Sequence, residues 1–190
     1  LKELVQQLLD DWRSDSLQYG MIGVDVESTS LQMFDPASHL LSVQIAWADK
    51  TAAFIPVLHS KFTSHEFTEI EGLSFLRKQL ALLLESGIPI AGHTFNFDSK
   101  YLYAKLGIMC KNVRFDAALA SHCLDGGATP VSLESVTTKY LDFAPYKREV
   151  RAMIEAQQIE DVLIDDLVAY GCRDADGTLR LVPVLRRKLK

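Results

Sequence analysis

The order of strand-like and helix-like segments constrains this chain more than any other feature. Three β-rich segments come first, at residues 21–27, 40–48 and 52–58. The short spacer at Asp49-Lys50 favours an antiparallel meander. The short apolar segments 88–91 and 113–115 then alternate with helical patterns, which is typical of parallel α/β connections. The pattern predicts an α/β domain that joins a meander to strand–helix alternation.

Helical patterns account for much of the remaining chain. Apolar residues recur at helical spacing in five stretches, at residues 1–12, 69–85, 97–106, 116–124 and 133–141. Ser132 is the expected N-cap of the fifth stretch, and a short helix is expected near residues 149–157. Asp165 or Asp166 is the expected cap of a long terminal helix, in which Pro183 predicts a kink or break.

Composition excludes several classes of protein. With 190 residues and no Gly/Ser linker or repeat, the chain is expected to form a single domain over residues 1–190. A net charge of -5 argues against binding nucleic acid through a broad basic surface. No apolar run approaches the ~20 residues of a membrane span. Three cysteines without Cys-x-x-Cys spacing and the lack of a signal peptide favour an intracellular protein.

Two carboxylates share one face of the first strand-like segment. Asp25 and Glu27 are two residues apart, so their side chains point the same way in a strand. Such a pair also occurs by chance at a strand end on the surface. Its place on the first long strand of an α/β domain favours a functional site, because ligands in such sheets bind at strand ends.

Further acids follow at a helix start and within the terminal helix. Asp98 falls in the first helical turn after segment 88–91, where an acid is also favoured by the helix dipole. Tyr170 and Asp174 are four residues apart and therefore share one helical face, although Tyr170 could equally be a packed aromatic. If several of these acids meet, cations must offset their repulsion, and oxygen ligands suit Mg²⁺ or Mn²⁺.

Taken in order, these residues resemble a known set of motifs. Asp25-x-Glu27, Asn96-Phe97-Asp98 and Tyr170-x-x-x-Asp174 resemble the three exonuclease motifs of the tyrosine branch of the DEDD superfamily. The whole chain is similar to the 3′–5′ proofreading exonuclease domain of family A, DNA polymerase I-like polymerases. Flanking segments such as Phe115-Asp116-Ala117 and Ser132-Leu133-Glu134 extend the likeness.

The resemblance implies a ribonuclease H-like fold with a mixed five-stranded sheet flanked by helices. It also implies two-metal hydrolysis of the terminal phosphodiester, with two Mg²⁺ or Mn²⁺ ions and Zn²⁺ as an option at one site. By that match Asp25, Glu27 and Asp174 hold the first metal, Asp25 bridges to the second, and Asp98 supports the second through water. Tyr170 would orient the attacking water.

The same resemblance implies contacts to a strand end. Leu31 would wedge against the terminal bases. Thr94 stands where family members usually carry Asn, and the chain's own Asn96 lies two residues later. Thr94 can still offer a hydroxyl, and we expect both residues to contact the terminal nucleotide. His93 is interpreted as a hydrogen-bonded structural group rather than a general base.

The implied substrate is the 3′ end of single-stranded or frayed DNA, and the implied product is a nucleoside monophosphate. A polymerase domain in the same or a partner chain is the expected partner, no membrane is involved, and the cytoplasm, nucleoid or an organelle is the expected place. Two alternatives stay open: a ribonuclease D-like 3′–5′ exoribonuclease, and a catalytically silent module of a polymerase. Two small basic clusters are interpreted as solvated helix faces; they comprise Lys147, Arg148 and Arg151, and Arg186, Arg187, Lys188 and Lys190.

Overall fold

A computed structural model describes residues 1–58, 70–128, 131–145, 152, 153, 156, 159 and 162–190. Eleven helices and strands lie within these ranges: α1 (Lys2–Arg13), β1 (Ile22–Ser28), β2 (Leu40–Ala48), β3 (Thr51–Pro56), α2 (Ile70–Leu84), β4 (Ile90–Gly92), α3 (Asn96–Leu106), β5 (Val113–Asp116), α4 (Ala117–Asp125), α5 (Leu133–Leu141) and α6 (Ile164–Lys188). The helix expected near 149–157 falls on a stretch of which only residues 152, 153 and 156 are described. Lys147, Arg148 and Arg151 lie outside the described residues.

The five strands form one mixed sheet in the order β3-β2-β1-β4-β5. Strands β1, β2 and β3 pair antiparallel, whereas β4 pairs parallel with both β1 and β5. This confirms the expected meander followed by strand–helix alternation, with strand bounds within about two residues of those predicted. Strand β1 therefore lies at the centre of the sheet, between its antiparallel and parallel halves.

The two faces of β1 have different roles. Ile22, Val24 and Val26 point to one face, where they belong to the larger apolar core together with residues of α1, α2 and α3. The alternate residues face α6. A Cβ at Gly23 would lie 2.5 Å from the Ala175 carbonyl oxygen, so only glycine permits helix and strand to approach this closely.

Helix α6 differs from the prediction at its start, and it has no break at Pro183. It begins at Ile164 with Leu163 as N-cap and no side-chain cap bond, so the prediction of Asp165 or Asp166 as cap is wrong. Both acids instead lie in the first turn, where the helix dipole favours them. The helix also continues through Pro183 to Lys188, because its C-terminal half is buried against the core and packing outweighs one lost backbone bond.

Other helix starts follow the sequence more closely. The Ser135 N–H donates to Ser132 Oγ at 3.3 Å, which confirms Ser132 as the N-cap of α5. Helix α4 begins at Ala117, one residue later than predicted, because Asp116 itself is the N-cap. Within the described ranges, no helix combines the length and apolarity needed to cross a bilayer.

Candidate metal centre

Three carboxylates from distant parts of the chain meet beneath α6. One carboxylate oxygen from each of Asp25, Glu27 and Asp174 lies within 4.8 Å of the other two. Asp25 and Glu27 come from the α6-facing side of β1, and Asp174 comes from the helix that Gly23 allows to approach. Glu27 and Asp174 are only 8% and 7% exposed, whereas Asp25 is half-buried.

Asp98 joins this cluster from a third element. It lies in the first turn of α3 and is 4% exposed. The backbone N–H of Val26, the residue between the two β1 acids, donates to Asp98 Oδ1 at 3.2 Å. Asp98 is therefore fixed directly to the strand that carries Asp25 and Glu27, although it is not one of the three acids that meet within 4.8 Å.

The carboxyl groups of this cluster hold protons more tightly than ordinary acids. Burial raises the pKa of Asp25 to about 7. Burial, followed by the negative charges of neighbouring acids, raises the pKa of Glu27, Asp98 and Asp174 well above the usual range. Each acid therefore makes the ionisation of the others costly unless positive charge is brought between them.

The donor set fits hard divalent cations. All the converging groups are carboxylate oxygens, the ligands preferred by Mg²⁺ and Mn²⁺, and no histidine or cysteine belongs to the three-acid group. A cation would make ionisation of these four carboxyls favourable. The chemistry of the cluster is therefore suited to holding a divalent metal ion, and nothing in it selects one such ion.

Tyr170 lies one helical turn before Asp174 on α6. Its ring is half-buried and packs against a small apolar cluster that includes Leu41 and Leu167. The predicted pair therefore shares a helix and a face, and the phenol has a packing role of its own beside the acids.

The other sequence-predicted residues lie on the segments that leave the sheet next to the acids. Leu31 follows β1 and is 73% exposed, while Thr94 and Asn96 follow β4 and are also exposed. Because β1 and β4 are parallel, both segments leave at the same edge of the sheet. Thr94 has a left-handed backbone with φ of 55°, and Asn96 is the first residue of α3.

His93 is held as a structural group, as the sequence suggested. Its Nε2 lies 2.6 Å from the carbonyl oxygen of Val131. Burial lowers the pKa of His93, because it disfavours the charged imidazolium. Among the described residues its Nδ1 is buried without a hydrogen-bond partner.

The sequence analysis did not single out two residues that lie near the site. Asp116 accepts hydrogen bonds from the backbone N–H groups of Thr94 and Phe95, at 3.2 and 2.9 Å, and so ties β5 to the segment before α3. Gln44 pairs with Asp25 across the sheet and contacts α6 at Gly171, where a Cβ would lie 2.9 Å from it. Neither Asp116 nor Gln44 belongs to a recognisable sequence motif, so their contacts become visible only in the fold.

The basic cluster at the end of α6 is packed as well as solvated. Arg186 lies over the Phe115 ring, 5.6 Å from its centroid, and Lys188 lies 5.7 Å from that of Tyr140. These contacts are cation–π in geometry and cover aromatic surface that would otherwise face water.

Comparison with known proteins identifies one family. The sequence model of a protein family described as 3′–5′ exonuclease matches residues 4–190 of this chain. DNA polymerase I of Pseudomonas aeruginosa is 28% identical over 190 residues, which cover 98% of this chain and 20% of the polymerase. DNA polymerase I of Rhizobium leguminosarum is 28% identical over 199 aligned positions, and the alignment covers 95% of this chain and 19% of that polymerase. The chain thus spans about a fifth of the length of these curated relatives.

Solved structures show the same fold at lower identity. Brucella melitensis NrnC with bound Mg²⁺ has a TM-score of 0.67 at 22% identity, covering 92% of this chain and 76% of that chain. Trypanosoma brucei RNase D has a TM-score of 0.70 at 15% identity, covering 97% and 62%. These likenesses support the ribonuclease H-like, mixed-sheet architecture expected from the sequence.

Proposed function

Since this chain belongs to the 3′–5′ exonuclease family, in the form carried by DNA polymerase I, we propose that it removes nucleoside monophosphates from the 3′ end of single-stranded or frayed DNA. The observation that carries the proposal is the convergence of Asp25, Glu27 and Asp174, with Asp98 fixed beside them. The polymerase I relatives favour DNA over RNA as the substrate. We further propose that residues 1–190 act as one exonuclease domain beside a polymerase domain.

The proposed chemistry is hydrolysis of the terminal phosphodiester with two divalent cations. In this proposal Asp25, Glu27 and Asp174 would hold one ion, and Asp25 and Asp98 would help to hold the second. When bound, such ions make water nucleophilic near neutral pH and stabilise the attacking and leaving oxygens. The identity of the ions, Mg²⁺ or Mn²⁺ with Zn²⁺ as an option at one site, is part of the proposal.

The protein's own residues prepare and guide the attack. The clustered carboxyls would exchange their protons for the cations, because positive charge between them offsets their mutual repulsion. Tyr170, one turn from Asp174, orients the attacking water through its hydroxyl. Leu31, Thr94 and Asn96 contact the terminal nucleotides. No covalent intermediate with the protein is required.

Digestion of matched oligonucleotides tests the proposal. A 5′-labelled single strand of DNA and its RNA counterpart are incubated with Mg²⁺, with Mn²⁺ or with EDTA. We expect stepwise shortening of the DNA from the 3′ end in either metal, with release of nucleoside 5′-monophosphates, and none in EDTA. Much faster loss of the RNA would replace the DNA assignment with an exoribonuclease, and no cleavage of either strand by a folded sample would indicate a silent module.

A matched pair of variants links the activity to the acidic cluster. Asp25→Asn should abolish cleavage, because it removes a carboxylate that would hold the cations. The fold should be kept, because the change removes one of several crowded negative charges. Asp15→Asn is the control, since Asp15 is exposed and has φ of 57°, a conformation that asparagine tolerates. Equal activity of Asp25→Asn and the parent would exclude the cluster from the reaction.

A further inference from the structure

Two polar side chains are fully buried on strand β2, on the face that α6 covers. Ser42 and Gln44 are both 0% exposed, and they share a face because they are two residues apart in a strand. The Gln44 amide donates from Nε2 to Ser42 Oγ at 2.7 Å. Polar groups at this depth cost free energy of folding unless they are hydrogen-bonded. One bond offsets only part of that cost, because an amide and a hydroxyl can each form several.

The register of the sheet places this pair beside the acids. In the antiparallel pairing of β1 with β2, Gln44 is the partner of Asp25 and Ser42 is the partner of Glu27. Directly opposed residues of an antiparallel pair lie on one face of the sheet, with their Cβ atoms about 4.5–5.5 Å apart. The two polar side chains are therefore cross-strand neighbours of the two β1 carboxyls.

Helix α6 bounds the Gln44 amide from above. A Cβ at Gly171 would lie 2.9 Å from each of Cγ, Cδ and Nε2 of Gln44, so the lack of a side chain at residue 171 makes room for the amide. Asp174 lies three residues later on the same helix and therefore on nearly the same helical face. The amide is thus confined between the strand that carries Asp25 and the helix that carries Asp174.

One end of this amide has no partner. Among the residues that the structure describes, Gln44 Oε1 is buried and accepts no hydrogen bond. A buried acceptor without a donor is costly, so we expect the working site to supply one. On the β3 side Gln44 is opposed by Phe54, whose side chain has no donor, and on the β1 side it is opposed by Asp25. The side of Asp25, where a cation is proposed to bind, is therefore the side from which a donor can come.

We propose that Gln44 is a positioning residue of the metal centre, and that its Oε1 accepts a hydrogen bond from a water molecule bound to the cation beside Asp25. Ser42 holds the other end of the amide, so the acceptor end stays available. The inference rests on the proposed two-cation function and adds to it a residue that holds no cation directly. Outer partners of this kind orient what the metal binds, and their loss lowers metal affinity or activity by roughly 10- to 100-fold.

Binding of Mn²⁺ in the absence of substrate tests the role of Gln44. Gln44→Met keeps the length of the side chain and removes both ends of the amide. We expect it to raise the Kd for Mn²⁺ by roughly 10- to 100-fold, measured at one fixed pH from the electron paramagnetic resonance signal of the free ion. Gln79→Met is the matched control, because Gln79 is also buried but lies on α2, which packs on the opposite face of β1. Its Kd should equal the parental value, and equal Kd values for the two variants would overturn the proposal.

A double-mutant cycle tests whether Ser42 acts through Gln44. Ser42→Ala keeps the amide and removes the bond that fixes it, so it should raise the Kd by a smaller factor than Gln44→Met does. The double variant should bind Mn²⁺ as weakly as Gln44→Met alone, because no amide is left for Ser42 to hold. Multiplication of the two separate factors would refute this role of Ser42. Should Gln44→Met fail to fold, Ser42→Ala decides alone: a raised Kd supports the proposal, and a parental Kd overturns it.

Urea unfolding in EDTA separates positioning from a purely structural role. The double variant replaces both buried polar groups by apolar ones, so its unfolding midpoint without metal should equal or exceed that of the parent. A structural pair would behave in the opposite way. A lower midpoint together with a parental Kd for Mn²⁺ would overturn the positioning role.

Failure of the proposed function gives a different result. If the parent neither binds Mn²⁺ nor cleaves DNA, the metal centre is wrong, and the role of Gln44 is wrong with it. If the parent binds Mn²⁺ and cleaves DNA while Gln44→Met keeps the parental Kd, the exonuclease proposal stands and only the role of Gln44 is wrong. Binding without cleavage still decides the role of Gln44, because the Kd is measured without substrate.

Discussion

Asp116 offers the sharpest test of how the second acidic segment is held. Its Oδ1 accepts hydrogen bonds from the N–H groups of Thr94, Ala118 and Leu119, at 3.2, 2.9 and 3.1 Å, and its Oδ2 accepts one from Phe95 at 2.9 Å. Two of these bonds cap α4, and the other two fix the turn that begins α3. We predict that Asp116→Ala will destabilise the protein more than the loss of a helix cap alone.

The magnitude follows from the burial of each donor. Loss of the cap costs about 1 kcal/mol. The Phe95 N–H belongs to a residue only 2% exposed, so leaving it unsatisfied costs a further ~1–3 kcal/mol, whereas water can replace Asp116 at the exposed Thr94. Urea unfolding should therefore show a loss of about 3 kcal/mol for Asp116→Ala. Ser132→Ala removes a cap and an exposed contact to Ser135 Oγ but leaves no buried donor unsatisfied, so it should lose only about 1 kcal/mol.

The left-handed backbone of Thr94 allows a second, independent check. A β-branched residue at φ of 55° is strained by about 1–2 kcal/mol, and glycine removes this strain. Without Asp116 the turn can relax and shift the start of α3, which carries Asp98. The Asp116→Ala change should therefore cost less cleavage activity in a Thr94→Gly background than in the parent. Two results together would refute this reasoning. Asp116→Ala and Ser132→Ala would lose the same free energy of unfolding, and the effects of Asp116→Ala and Thr94→Gly on cleavage would be strictly additive.

Three further outcomes are expected. Gly23→Ala should cost about 1–3 kcal/mol in urea unfolding and weaken Mn²⁺ binding, because the new Cβ would lie 2.5 Å from Ala175 O; an unchanged unfolding midpoint would contradict the close approach. Because folding raises the pKa of Asp25 from 3.8 to about 7, the metal-free folded protein retains a proton that the unfolded chain has lost, so the melting temperature in EDTA should fall between about pH 4 and 7. Added Mn²⁺ should oppose that fall, and a melting temperature that rises across this window in EDTA would disprove the pKa assignment. Tyr170→Phe should slow single-turnover cleavage more than it weakens strand binding, and parental single-turnover rates would remove Tyr170 from water positioning.

Much of the fold was predictable because periodicity reports burial directly. The meander, the short parallel strands and helix α5 with its Ser132 cap all follow from alternation, turn residues and capping chemistry. Predictions based on one residue's local preference did worse. Asp165 and Asp166 are good caps, and Pro183 is a helix breaker, yet tertiary packing placed the first two inside a helix and kept the third within it.

The acids of the candidate site were predictable from the sequence, but the contacts that hold them in place were not. Residue types and their order pointed to Asp25, Glu27, Asp98 and Asp174, and the fold brings them together. The contacts that hold them there have no signature in one sequence. Asp116 acts on backbone groups twenty-one and more residues away, and the Tyr101 hydroxyl reaches a carbonyl in another element. Such contacts depend on where chain segments cross, which local patterns do not encode.

The placement of two acids on the central strand has a consequence for how the metal-free protein behaves. Strand β1 is hydrogen-bonded to β2 on one side and β4 on the other, and it lies between the apolar core and α6. Its backbone is therefore expected to be rigid. An empty centre thus has to be tolerated by proton uptake rather than by loosening. Amide hydrogens of this strand should exchange with deuterated solvent at nearly the same slow rate with or without Mn²⁺. Any change in exchange rate on metal binding should be confined to the surrounding loops.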